Sequence, residues 1–232
     1  MRKTILLTGA SRGIGLAIAK QLLVEGHEVI GLSRTHSLEH DNYTPIQIDL
    51  SDLKSLPDRL KKIQSECPEI DALICNAGIW HYCQFEDLSY RQIRHIHDLN
   101  FLSPVYLVKA FLPQLKAQNR GDILFIGSES ARSAPPMETL YSATKSALAT
   151  FARALRSECA SENIRVTTIH PGAVKTDMLD LAPSSLSGDE THHIVPEDVA
   201  SIISFLLNGR EGTVLDEIHL SPQKNHINIL NN

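Results

Sequence analysis

The feature that most constrains this chain is an alternation running along nearly its whole length. Short, wholly apolar runs are separated by stretches with helical spacing. The first run, KTILLT at 3–8, is followed by Ile14, Ile18 and Leu22 at helical intervals, with Gly26 placed to end that helix. HEVIGLS (27–33), TPIQIDL (44–50), DALICNAG (71–78), GDILFIGS (121–128), IRVTTIHPG (164–172) and TVLDEIHL (213–220) read as six further strands. Between them Leu56, Leu60 and Ile63 mark a helix that starts or kinks at Pro57, and residues 89–118 a long, interrupted one. Leu148, Phe151, Ala152, Leu155 and Cys159 form the core stripe of another helix, and Glu197–Leu207 is the last. Strands that are apolar throughout cannot leave either sheet face in water. Repeated βα units of this kind predict an α/β, Rossmann-type fold: a doubly wound, mainly parallel sheet with helices on both faces.

With 232 residues the chain is expected to form one domain over 1–232. No apolar run approaches the roughly 20 residues that span a bilayer. The apolar start is too short for a signal peptide's core and runs into glycines, so a cytoplasmic protein with no membrane partner is expected. A net charge of −5 with no basic block argues against nucleic acid. Cys67, Cys75, Cys83 and Cys159 form no CxxC pair, and the close pairs His95/His97 and His192/His193 lack metal-motif spacing. No metal is expected. The one long irregular stretch, about 175–195, follows a strand's carboxyl end and reads as a substrate lid.

Three stretches carry chemistry. The first is TGASRGIG at 8–15, at the crossing from the first strand to the first helix. Gly9, Gly13 and Gly15 permit positive-φ turns and close backbone approach, and with Ser11, Arg12 and Ile14 they lead into a helix N-terminus. Free N–H groups and positive dipole there suit a pyrophosphate. The second is the end of the second strand, where an NAD site usually carries an acid for the ribose hydroxyl about 20 residues beyond the loop. Here it reads Ser33–Arg34 with no carboxylate, and Arg12 reaches toward the same corner. Two guanidiniums in place of an acid favour a 2′-phosphate, hence NADP(H). The third is LYSATKSALA at 140–149, which stacks Tyr141 and Lys145 one helical turn apart. By itself the pair is open between a packed helix face and a catalytic couple.

Together these stretches resemble the short-chain dehydrogenase/reductase family, classical type, over nearly the whole chain. The family's glycine motif matches Gly9, Gly13 and Gly15; its NAG matches Asn76, Ala77 and Gly78; its helix asparagine matches Asn100 in DLNFLSP. Ser128 is its serine, Tyr141 and Lys145 its YxxxK, and Pro171–Gly172 its proline–glycine, followed by Val174 and Thr176. The resemblance implies Tyr141 as general acid/base toward a carbonyl or alcohol. It implies Lys145 as the group that holds the nicotinamide ribose and lowers the tyrosine pKa. Ser128 would polarise the carbonyl, Asn100 would hold a relay water, Asp49–Leu50 would line the adenine pocket, and Thr176 would contact the carboxamide. A homodimer or homotetramer is implied, built on the helices at 101–118 and 141–160 and, for a tetramer, on the last strand.

Some features lie outside that pattern. Pro104 has no N–H for the carbonyl of Asn100, which would leave that carbonyl free for the relay water if the helix continues, or mark a helix boundary. SARSAPPMETLY lacks the glycines common between the family's serine and tyrosine, Glu129, Arg132 and Glu138 flank the site, and no glycine pair follows the last strand. Trp80, His81 and Tyr82 read equally as an aromatic wall or as surface loop. The function expected is NADPH-dependent reduction of a ketone or aldehyde, or its reverse. Candidate substrates are a small carbonyl compound, a 3-oxoacyl thioester, and a hydroxy acid or sugar alcohol. The competing expectation is a non-catalytic NADP-binding redox sensor, and the intact Asn–Ser–Tyr–Lys set weighs against it.

Overall fold

The computed structural model describes residues 2–36, 38–67, 69–178 and 190–224. Its strands are Thr4–Thr8 (β1), Glu28–Ser33 (β2), Tyr43–Gln47 (β3), Ala72–Cys75 (β4), Gly121–Ile126 (β5), Ile164–Pro171 (β6) and Glu217–Leu220 (β7). They form one sheet in the order β3-β2-β1-β4-β5-β6-β7, and every neighbouring pair is parallel. The helices are Gly13–Val24 (α1), Leu56–Glu66 (α2), Tyr90–His97 (α3), Ser103–Gln118 (α4), Ser130–Ser133 (α5), Thr139–Glu158 (α6) and Pro196–Asn208 (α7).

The apolar runs are buried on both faces, as their composition requires. Successive residues of the central strands enter opposite cores: Leu6, Leu73, Ile123 and Phe125 join α2, α4 and α6, while Ile5, Leu7, Ile74 and Leu124 join α1 and α7. Phe111 of α4 and Phe125 of β5 are the largest side chains wholly removed from water. The sheet grows outward from β1 in one direction through β2 and β3, then in the other from β4 onward. The order therefore reverses between β1 and β4, and a crevice opens at their carboxyl ends.

The elements differ from the sequence expectation mainly at their ends. β3 stops at Gln47, so Asp49 and Leu50 lie in the following loop, where the Ser51 hydroxyl and N–H both bond Asp49 (2.7 and 2.9 Å). β4 stops at Cys75 and releases Asn76–Gly78 toward the crevice. β7 begins only at Glu217, because β6 offers it partners over Thr168–Pro171 alone. The long helix is interrupted as expected. A capping box between Ser89 and Gln92 starts α3, and a π-turn at Asp98–Leu102 joins it to α4. There the Ser103 N–H reaches back to the Asp98 carbonyl, directly before the proline that supplies no N–H. Residues 179–189 of the expected lid fall outside the described residues; its flanks meet in a parallel bridge between Val174 and Ile194. Among the described residues no helix is long and apolar enough to cross a membrane.

Candidate active site

The crevice is a cleft of about 730 Å³. Its lining includes every residue expected at the site except Gly15 and Asn100, which lie just behind it. Gly9 and Gly13 have φ of +70° and +53°, the left-handed conformation that favours glycine. A Cβ on Gly15 would collide with the Gly9 carbonyl oxygen, so α1 packs against the loop only because that side chain is absent. No side chain caps α1, and its first turn carries no acid, which leaves the amide N–H groups available to an anion.

The loop's shape is set by Thr8, which the glycine pattern alone does not single out. Its hydroxyl accepts the N–H groups of Asn76 (2.9 Å) and Ala77 (3.0 Å) and donates to the Ile74 carbonyl (3.3 Å). The Asn76 side-chain amide answers by donating to the carbonyls of Thr8 (3.0 Å) and Gly9 (3.2 Å). The glycine loop and the NAG turn are thus one hydrogen-bonded unit, and the local signal for it was the threonine preceding Gly9.

Ser128, Tyr141 and Lys145 converge on the cleft from the end of β5 and from α6. Ser128 hydrogen-bonds the Tyr141 phenol. Lys145 is 4% exposed; its ammonium donates to the Ile126 carbonyl (2.8 Å) and lies 5.7 Å from the Tyr141 ring centroid. Burial pulls its pKa down to about 8. Tyr141 moves the other way. Burial pushes it up to about 12, against the Ser128 bond that lowers it, and the charges of Glu138 and Glu129 push further. A tyrosine pKa lowered by Lys145 was expected; burial and the two carboxylates dominate instead.

Asn100 is buried on the π-turn. Its side chain does not face the cleft but clamps the Ile79 peptide, accepting its N–H and donating to its carbonyl (2.8 Å each). It also reaches the Thr144 hydroxyl at 3.3 Å, which in turn donates to the Tyr141 carbonyl at 2.8 Å. Asn100 therefore ties the loop after NAG to the helix that carries Tyr141.

At the other end of the cleft Ser33 is buried with no partner for its hydroxyl, Arg34 is exposed, and Arg12 lies 3.8 Å from Asp177 across the mouth. No carboxylate ends β2. Beside Ser128 stand two acids. Glu138 accepts the Ser130 hydroxyl (2.6 Å), while Glu129 presses on Gly172 so closely that a Cβ there would sit 2.8 Å away. Burial, and then the charge of Glu138, raise the Glu129 pKa above the ordinary carboxylate range. Trp80 and Tyr82 line the cleft with ring centroids 5.6 Å apart, whereas His81 is not part of the lining.

A doubly wound parallel sheet with a glycine cradle at its switch point defines the Rossmann class. Comparison with known proteins narrows it. The sequence profile of the short chain dehydrogenase family matches residues 3–185, and the chain belongs to that family of oxidoreductases. An NADP-dependent 3-hydroxy acid dehydrogenase of Schizosaccharomyces pombe is 32% identical over 95% of this chain and 92% of its own length. A 3-oxoacyl-acyl-carrier-protein reductase of Vibrio harveyi is 30% identical over 93% of each chain. Among solved structures, an alcohol dehydrogenase of Thermococcus sibiricus complexed with 5-hydroxy-NADP superposes with a TM-score of 0.85 at 26% identity, covering 97% of this chain and 99% of that one.

The Thr8 unit generates a prediction. Thr8→Val keeps the shape but leaves the Asn76 and Ala77 N–H groups without an acceptor, and should cost about 1–3 kcal/mol in urea unfolding. Thr8→Ser should be close to neutral, and equal losses in the two variants would contradict the hydroxyl's role.

Proposed function

We propose that this chain is an NADP(H)-dependent oxidoreductase that reduces a ketone or aldehyde to an alcohol, or runs the reverse, with Tyr141 as the general acid/base. The observation that carries this reading is the convergence of Ser128, Tyr141 and Lys145 at one end of a cleft whose other end is a glycine cradle. The cofactor fits the residues present. The Gly9–Gly15 loop and the α1 amides would hold the pyrophosphate; Arg12, Arg34 and Ser33 would hold the 2′-phosphate; Asp49 and Leu50 would line the adenine. Asn76–Gly78 and Lys145 would hold the nicotinamide ribose, and Pro171, Gly172, Val174 and Thr176 would face the carboxamide. When bound, NADPH supplies a hydride to the carbonyl carbon.

This chain's own residues do the rest. A phenol with pKa near 12 stays protonated at neutral pH and is ready to donate to the carbonyl oxygen. Ser128 orients that oxygen. Lys145, still charged below its pKa near 8, favours the tyrosinate that forms. Proton return would pass through a water on the Asn100 backbone carbonyl, beside Pro104. A reduced NADP pool favours the reductive direction.

The cleft's own charges bear on the substrate. Glu129 and Glu138 flank Ser128, and Lys145 is the one lysine or arginine of the lining near them among the described residues. That disfavours an anionic hydroxy acid and favours a neutral or cationic carbonyl compound against the Trp80–Tyr82 wall. The same reading takes 1–232 as one cytoplasmic nucleotide-binding domain, with a substrate lid at about 175–195, that assembles as a homodimer or homotetramer.

Tyr141→Phe should lower turnover of a carbonyl panel by about 10²–10⁴-fold while NADPH still binds; unchanged turnover sinks the mechanism. Arg34→Ala should weaken NADPH binding by about 1.5–3 kcal/mol and leave NADH binding nearly unaltered. Equal losses for both would refute the phosphate clamp. The rate kcat/KM for reduction should fall as pH rises through about 8, where Lys145 loses its charge, since Tyr141 holds its proton to about 12. A profile that stays level well above pH 8 would contradict this assignment.

A further inference from the structure

The histidine pairs adjacent in sequence are not the ones the fold brings into a cluster. His170 of β6 and His219 of β7 are direct partners in the parallel register, and Glu217 pairs with Thr168 two positions earlier. Glu217 and His219 therefore share one face of the edge strand, beside His170. The two imidazoles stack at 4.8 Å with 12° between their planes. One ligand atom from each of His170, Glu217 and His219 lies within 4.8 Å of the other two.

The surroundings of these side chains prepare them as ligands. His170 is 3% exposed, and its Nδ1 lies 3.1 Å from the Ser128 carbonyl. A carbonyl only accepts, so Nδ1 carries the proton and Nε2 keeps its lone pair. That Nε2 is buried and has no hydrogen-bond partner. Glu217 is held in the same manner: Arg153 binds its Oε1 at 3.0 Å, leaving Oε2 turned toward His219 Nε2 at 3.9 Å. In metal sites the outward atom of each ligand is usually fixed by such an outer partner.

We propose that His170, Glu217 and His219 form a binding site for a divalent transition-metal ion of the zinc type, with a fourth position open to water. Two imidazole nitrogens and one carboxylate oxygen suit zinc, cobalt or nickel better than calcium or magnesium. Ligand atoms around a tetrahedral ion at about 2.0–2.1 Å lie roughly 3.3 Å apart, so the cluster must contract by up to about 1.5 Å. His170 is fixed by its bond to Ser128. His219, with its side chain 41% exposed at the sheet edge, is free to turn out of the stack and supply that movement. The ion would cross-link the four-residue edge strand to β6 and, through His170, brace the backbone of Ser128. Metal that binds the folded chain in this way raises its stability.

The test is calorimetric titration of Zn²⁺, and separately Co²⁺, into the full chain after EDTA treatment and dialysis. One equivalent should bind per chain, with a rise in melting temperature. His219→Ala and Glu217→Gln should each weaken binding by about 10–100-fold or more and abolish the melting shift, with circular dichroism verifying the fold. His97→Ala, at an exposed histidine on α3, should change nothing. Cys67 and Cys83 are free and partly accessible thiols, so the Co²⁺ complex should show no sulfur-to-cobalt absorption. Equal affinity in wild type and His219→Ala, no stoichiometric binding, or a thiolate band would each overturn the site.

Discussion

The Thr8 hydroxyl joins the two strands between which the sheet order reverses, and the site is built around that junction. It holds the ends of β1 and β4 in register where each strand releases its loop. Asn76 then fastens the glycine turn from the opposite side, which presents α1's free amides to the crevice. Asn100 extends the chain of contacts from the NAG loop, through Thr144, to the backbone of Tyr141. The cradle and the tyrosine come from opposite halves of the sequence, yet they are linked by two sets of hydrogen bonds joined through the backbone from Asn76 to Ile79.

Burial then sets the electrostatics of the cleft. It favours the neutral forms of Tyr141 and Lys145, raising one pKa and lowering the other. The buried Lys145 ammonium donates to the Ile126 carbonyl, which offsets only part of its desolvation. The neighbouring Cys75 thiol is pushed far up by the same burial, so it is an inert core residue rather than a nucleophile. Glu129 and Glu138 place two carboxylates in the cleft beside Ser128 and Ser130.

Much of this was legible in the sequence because both signals are local. Apolar runs on a βα rhythm dictate a parallel sheet, and glycine spacing dictates the cradle. Chemistry shared by residues distant in sequence was less legible. Nothing in the spacing shows that Asn100 clamps a peptide at Ile79 or that Thr8 receives two N–H groups from a turn far along the chain. Nor does it show the sign of the Tyr141 shift, which depends on burial and on where Glu138 comes to rest. His170 and His219 meet only because β7 pairs with β6 in one particular register.

The most direct measurement follows the hydride. A panel of neutral and cationic ketones would be reduced with NADPH carrying deuterium at both nicotinamide C4 positions, and the alcohols examined by NMR. Deuterium should appear on the carbinol carbon, with one NADPH consumed per alcohol formed. Alcohol that forms without cofactor deuterium, or NADPH that binds but is consumed with no carbonyl compound, would contradict the assignment of this cleft to hydride transfer.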